Sequence, residues 1–388
     1  MRALIAEAEW MPRPNYALTD KEKTYRMALV GSQVWRNPSF EIRNAPTPDI
    51  KEDEVLIRVK ICGVCGSDTH LYETGKDGYI IFSGLTRLPC ILGHEFSGVV
   101  GKTGGRVTGL KTGDRVAVES VMWCGTCSSC RSGDPNQCKN VNLLGLSRDG
   151  AFAEYVAVNE RYCWKINDLM EVYAEDEAFA LGALIEPVGC AYNGIFIAGG
   201  GFKPGGVVVV YGVGPIGLGA VALAGIAGAS RIIAFDVIDE RVEIARKMGA
   251  DYAFNIKKMG TGSGDKVMEL TQGEGADILV EAAGAAPQTI PEMEKALSSQ
   301  GKIIYLGRAA TKTSMYLDTL VSGANKIIGA RGHSGYGIFP KIIKLIASRK
   351  LDLSKMVTLK YPFAKGIEAL RKSVDRKDGK ILVNLSSG

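Results

Sequence analysis

Val207-Val208-Val209-Val210-Tyr211-Gly212-Val213-Gly214-Pro215-Ile216-Gly217 is the stretch that decides the fold. A short run of β-branched apolar residues that stops at glycine reads as a strand buried on both faces. Proline one residue beyond Gly214 suits the first turn of a helix, where its missing N–H costs nothing. Val207 to Ser230 carries no charge and is long enough to suggest a membrane span. Gly212, Gly214, Pro215, Gly217 and Gly219 interrupt it, and strand, tight turn and buried helix account for that pattern better.

The glycines fall in the pattern G-x-G-x-x-G. Gly212 permits a tight turn, Gly214 lets backbone approach a pyrophosphate, and Gly217 lets helix and strand pack closely, with Pro215 and Ile216 opening the helix. The pattern alone is weak evidence. Here Asp236 ends the next strand-like run, 19 residues after Gly217, where a carboxylate accepts the adenosine ribose hydroxyls and repels a 2′-phosphate. The expected cofactor is therefore NAD rather than NADP.

Outward from this turn the pattern alternates. Arg231 to Asp236, Ile278 to Glu281, Lys302 to Gly307 and Lys326 to Gly329 read as strands; Pro215 to Ala227, Asp239 to Met248 and Gln288 to Ser298 read as helices. Such alternation predicts an α/β, doubly wound parallel sheet, the Rossmann arrangement, over residues 191–340. The earlier part is β-rich, with strands expected at Val55 to Ile61, Phe96 to Val100, Arg115 to Val118 and Phe152 to Val158. Residues 341–388 are expected to rejoin residues 1–190 in a first domain that carries a lobe at 120–140.

That lobe contains four of the nine cysteines, Cys124-x2-Cys127-x2-Cys130-x7-Cys138. Four thiolates satisfy one tetrahedral zinc and leave no open position, so this site is expected to be structural. A zinc ribbon binding nucleic acid is disfavoured, because two distant C-x2-C pairs and a basic–aromatic stripe are missing. The net charge of +5 comes from scattered Lys and Arg and indicates no nucleic-acid partner. The N-terminus lacks the apolar core of a signal peptide, so the expected location is the cytoplasm with no membrane partner.

A second metal site needs distant residues. Cys65 lies in Cys62-Gly-Val-Cys65-Gly-Ser67-Asp68-Thr-His70, His94 and Glu95 in Gly93-His94-Glu95, and Glu186 in Ala183-Leu-Ile-Glu186-Pro187. Two of the protein's three histidines, His70 and His94, fall in these segments. Cys62 competes with Cys65 as ligand; Cys65 is preferred because Ser67 and His70 then fall in useful places. Cys90, Cys163 and Cys190 read as small buried hydrophobes.

These segments, with Asp149-Gly-Ala-Phe-Ala-Glu-Tyr155, resemble the zinc-containing medium-chain dehydrogenase/reductase family from about Met27 to the C-terminus. The resemblance implies a GroES-like catalytic domain beside the Rossmann domain, two zincs per chain, NAD, a small-molecule alcohol substrate and a homodimer or homotetramer. It implies a catalytic zinc on Cys65, His94 and an acidic residue, either Glu95 or Glu186. It places Ser67 beside the alcohol oxygen, with a proton relay through the nicotinamide ribose to His70, and makes Asp68 a partner that orients His94. Arg241, Gly307 and Arg331 are implied on the cofactor side; His333 is either a substrate contact or an ordinary loop histidine. Glu at 186 is similar to the polyol and threonine branches. The extra stretch Trp10 to Arg26, expected before the first strand, and the long segment Glu73 to Pro89 are similar to sugar-alcohol or cyclitol dehydrogenases of inositol breakdown. Sorbitol, 2,3-butanediol and threonine oxidation are the competing readings, and a non-enzymatic NAD- or zinc-binding regulator is the reading of another class.

Overall fold

The computed structural model describes residues 1–308 and 311–386. It divides into two compact units. One comprises Met1–Glu186, Leu359–Asp375 and the chain from Ile381 onward; the other comprises Pro187–Thr358 and Arg376–Lys380.

The second unit is a six-stranded, all-parallel sheet. Its spatial order is Tyr252–Asn255, Arg231–Asp236, Val207–Tyr211, Ala276–Glu281, Leu297–Tyr305 and Lys326–Gly329. Val208, Val209 and Val210 are fully buried in the central strand, as expected when helices cover both faces of a parallel sheet. The charge-free stretch resolves into this strand and the helix Pro215–Ile226. The helix Ile338–Ala347 also belongs here, burying Ile338, Phe339, Ile342, Ile343 and Ile346 along one face, so this unit runs on to Thr358 rather than ending at 340. The strand expected from Lys302 begins earlier, at Leu297. Its pairing with Ala276–Glu281 shifts register between Ala276 and Ile278, and it lengthens at the expense of the preceding helix, which spans Ala286–Lys295.

The first unit contains a three-stranded antiparallel sheet, Trp35–Asn44, Arg2–Trp10 and Cys90–Ile91, and most of a seven-stranded sheet. In the latter, Glu54–Gly63 is central, paired with Glu95–Thr103, Tyr155–Asn159 and Lys380–Asn384. Two expectations need correction. The first strand is Arg2–Trp10, and the extra stretch does not precede it but lies between it and Trp35–Asn44. The strand expected from Phe152 starts at Tyr155. Ala153 bridges Ala3, and the Phe152 carbonyl accepts from the Leu4 N–H while its own N–H donates to the Leu92 carbonyl, so residues 152–154 serve the N-terminal strand instead.

One helical run, Glu175–Ala198, is long and apolar enough by composition to cross a membrane, but 78% of that window is buried inside the protein. Core packing explains its apolarity.

Candidate active site and metal centres

The antiparallel register of Glu54–Gly63 and Glu95–Thr103 sets Gly63 opposite Glu95. Cys65 lies two residues beyond Gly63 and His94 one residue before Glu95, so two segments remote in sequence end at the same place. One donor atom from each of Cys65, His94 and Glu95 lies within 4.8 Å of the others. His94 and Glu95 are buried and Cys65 half-buried. Cys62 sits behind the turn instead: a Cβ on Gly93 would fall 2.8 Å from its sulfur. Gly93 itself has φ +87°, a conformation costly for other residues.

Cys65 caps the helix Gly66–Tyr72, and its N–H donates to Asp68 Oδ2 at 2.9 Å. Asp68 Oδ1 stands 3.8 Å from His94 Nδ1, with both side chains buried. Ser67 Oγ is 3.3 Å from His94 Nε2. Burial opposes protonation of His94, yet the negative charge of Asp68, Cys65 and Glu186 pushes it well above its ordinary value. A buried site that concentrates this much negative potential on sulfur, nitrogen and oxygen donors suits a divalent cation. Three protein ligands are the number a catalytic zinc uses when it keeps a position open.

Glu186 does not join the three donors. It is buried, and its Oε1 accepts a hydrogen bond from Ser120 Oγ at 2.7 Å. No sequence signal tied Ser120 to this carboxylate, because the pairing spans 66 residues. His70 is half-buried on the helix that carries Ser67, outside the donor set.

The sulfurs of Cys124, Cys127, Cys130 and Cys138 form the other cluster within 4.8 Å, without disulfides. Cys127 and Cys138 sulfurs are 4.0 Å apart, close to the edge of about 3.8 Å for a tetrahedron with metal–sulfur bonds of about 2.3 Å. Hydrogen bonds from the Thr126 hydroxyl and from the Thr126 and Cys127 amides bring the Cys124 thiol down to about 5. The short strands Val121–Met122 and Asn142–Leu143 close the base of the lobe.

In the second unit Gly212 has φ +83°, and a Cβ there would lie 2.5 Å from Ala283 Cα. A Cβ on Gly217 would lie 1.9 Å from Gly212 O, whereas one on Gly214 meets only the Arg241 guanidinium, at 3.6 Å. The turn is thus tight at two glycines and open at the middle one. Gly214 is the N-cap of the helix, with Pro215 and Ile216 next. Asp236 accepts from the N–H groups of Val213 at 2.8 Å, Val237 at 2.7 Å and Ile238 at 3.1 Å. Arg241 is held by Asp378, whose carbonyl accepts from Nε at 3.3 Å. A Cβ on Gly307 would collide with Glu281 Oε2 at 2.2 Å and Gly284 N at 2.4 Å. The Arg331 carbonyl accepts from Asn193 at 3.1 Å. His333 is fully buried, its ring 5.4 Å from that of Phe339. Burial likewise raises the thiols of Cys90, which is in the core, and of Cys163, which is half-buried and packs against it; Cys190, expected to be buried with them, is half-buried.

An alcohol dehydrogenase GroES-like domain matches residues 51–168, and a zinc-binding dehydrogenase domain matches residues 215–348. Scyllo-inosose 3-dehydrogenase of Thermotoga maritima is 39% identical over 92% of this chain and 93% of its own length. The chain belongs to the zinc-containing medium-chain dehydrogenase/reductase family. Within this family, sorbitol dehydrogenase of Bacillus subtilis is 33% identical over 87% of this chain and 92% of its own length. A solved chain from Thermotoga maritima superposes with a TM-score of 0.95 at 37% identity, covering 99% of both chains. The 2R,3R-butanediol dehydrogenase of Bacillus subtilis gives 0.76 at 27% identity, covering 89% of this chain and 96% of the other. As a member of the medium-chain family the protein is an oxidoreductase acting on CH–OH donors, with zinc and a nicotinamide cofactor.

Proposed function

We propose that the protein oxidises a ring secondary alcohol of a cyclitol, scyllo-inosose foremost, with NAD as acceptor, in the cytoplasm and as a homo-oligomer. The observation that carries the chemistry is the convergence of Cys65, His94 and Glu95 donors within 4.8 Å. For the substrate, the support is 39% identity across nearly the whole chain to a scyllo-inosose 3-dehydrogenase. The extra segment between Trp10 and Trp35 and the long segment Glu73 to Pro89 add weight to a cyclitol over a linear polyol.

A zinc held by Cys65, His94 and Glu95 supplies Lewis acidity to the substrate's carbinol, and a nicotinamide supplies the hydride acceptor. The chain's own part is to orient and to move the proton. With zinc and nicotinamide bound, the carbinol would lose hydride from carbon and a proton from oxygen, which would leave a ketone, reduced cofactor and H⁺. Ser67 Oγ, 3.3 Å from His94 Nε2, stands at the rim of the donor set and takes up that proton's hydrogen bond. His70, three residues further on the same helix, shares its face and passes the proton outward. Asp68 holds His94 and the Cys65 amide in register. Asp236 favours NAD by receiving ribose hydroxyls and repelling a 2′-phosphate. Cys124, Cys127, Cys130 and Cys138 would hold a second, structural zinc.

The test is NADH formation with scyllo-inosose, inositols, sorbitol, 2,3-butanediol and threonine, with zinc measured on the same preparation. Two zincs per chain and the highest kcat/KM on scyllo-inosose are expected. Turnover of threonine alone overturns the cyclitol assignment, and one zinc or none overturns the metal assignment.

A further inference from the structure

Resting on the Ser67–His70 relay, we infer that the inserted segment 11–34 is a brace for His70, and that Arg13 is the positioning residue that locks it. The helix Gly66–Tyr72 ends at Glu73, and the chain then reverses through a turn closed by the Gly75 N–H, which donates to the Tyr79 carbonyl at 2.8 Å. Returning, it folds back on the helix: the N–H groups of Ile81 and Phe82 both donate to the His70 carbonyl, at 3.1 and 3.0 Å. This returning segment therefore holds the backbone that carries the imidazole.

The insertion and the strand after it bond to the same segment. Ser32 N–H donates to the Phe82 carbonyl at 2.8 Å and Gly31 N–H to Gly84 at 3.0 Å; Ala28 and Thr86 exchange both bonds, at 2.8 and 2.9 Å. On the strand side, Ile80 N–H donates to the Trp35 carbonyl at 3.2 Å. Residues 80–86 are thus hydrogen-bonded both to His70 and to the insertion. A long segment without such bonds moves on the ns–μs scale, and a proton-transfer group displaced by about 1 Å loses on the order of a hundredfold in rate.

The insertion is organised from inside by Glu22, which is fully buried and accepts from Thr19 N and Oγ1, Leu29 N and Tyr16 OH, each at 2.9 Å. Arg13 joins the insertion to the returning segment. Its Nε donates to the Ser32 carbonyl at 3.0 Å, its Nη1 to Asp77 Oδ2 at 2.5 Å, and its guanidinium lies 4.0 Å from the Tyr79 ring centroid. One planar cation therefore joins a carbonyl of the insertion to the carboxylate and the ring of the turn that leads into the returning segment.

The experiment compares the full-length chain with Arg13→Ala, Asp77→Asn, His70→Gln and Arg13→Ala/His70→Gln. Turnover is read with NAD and scyllo-inosose, and hydrogen exchange of the Phe82 amide is read without either. Arg13→Ala is expected to lower kcat about tenfold with the zinc content unchanged, to speed Phe82 exchange, and to cause no further loss in the His70→Gln chain. Asp77→Asn is expected to behave like Arg13→Ala. Unaltered Phe82 exchange overturns the brace, and a loss that multiplies in the double variant overturns the route through His70. If His70→Gln turns over as fast as the unmodified chain, the relay itself fails; the exchange data still report on the brace, so the two failures are distinguishable.

Discussion

Asp68 Oδ1 stands 3.8 Å from His94 Nδ1 while Oδ2 takes the Cys65 N–H at 2.9 Å. One buried carboxylate thus addresses two members of the donor set at once. Such outer partners fix the orientation of ligating groups and raise their basicity. Asp68→Asn is expected to weaken zinc at this site about 10- to 100-fold, measured by competition with a chelator. Unchanged zinc affinity would show that the strands alone hold His94 in place.

Ser67 touches His94 without belonging to the donor set. Ser67→Ala is expected to keep both zincs and lose turnover by about 100-fold or more, the range of one proton-transfer group. Steady-state rates beside metal analysis decide it, and unaltered kcat removes Ser67 from the proton route.

Asp236 and Arg241 are electrostatically paired, the carboxylate offsetting the cost that burial imposes on the guanidinium. Removing the negative charge leaves the guanidinium free to meet a 2′-phosphate. Asp236→Asn is expected to raise the ratio of kcat/KM for NADP over NAD at least about tenfold, or about 1.4 kcal/mol. Kinetics with the two cofactors check this, and an unmoved ratio would show that selectivity resides elsewhere in the turn.

Burial tends to raise the Glu22 carboxyl, but the amides of Thr19 and Leu29 and the hydroxyls of Thr19 and Tyr16 hold it below its ordinary value of 4.5. With the native value below the unfolded one, its contribution to stability is complete above about pH 4.5 and is lost as pH falls through the native value. Glu22→Gln is expected to flatten the acid side of the melting-temperature profile between pH 3 and 6. Glu22→Ala, which leaves buried donors without an acceptor, is expected to cost about 2–3 kcal/mol. Thermal unfolding across that range checks both, and parallel profiles for Gln and wild type would show that Glu22 does not titrate in the transition.

The dinucleotide unit was legible because its signals are local. A valine run, three glycines and a carboxylate at the end of the next strand state strand, turn and helix within about thirty residues, and the backbone sterics of Gly212 and Gly217 admit little else. The four-cysteine lobe was equally legible, since all its donors lie between Cys124 and Cys138. The helix Ile338–Ala347 was harder to assign to a unit, because an amphipathic pattern says that a face is buried but not against what.

Sequence by itself determined the types of group available for chemistry: a cysteine, histidines and carboxylates at spacings that suit zinc, and a glycine turn that suits a pyrophosphate. Tertiary structure decided which of them meet. Only the register of Gly63 against Glu95 brings Cys65 to His94, and it is Glu95 that stands in the cluster while Glu186 turns to Ser120. The inserted segment likewise showed in the sequence only a likeness to cyclitol dehydrogenases; that its backbone pairs with the segment returning over His70 was decided by the tertiary structure. Strand register and loop pairing depend on hydrogen bonds between residues far apart in the chain, and periodicity along one segment carries no record of its partner.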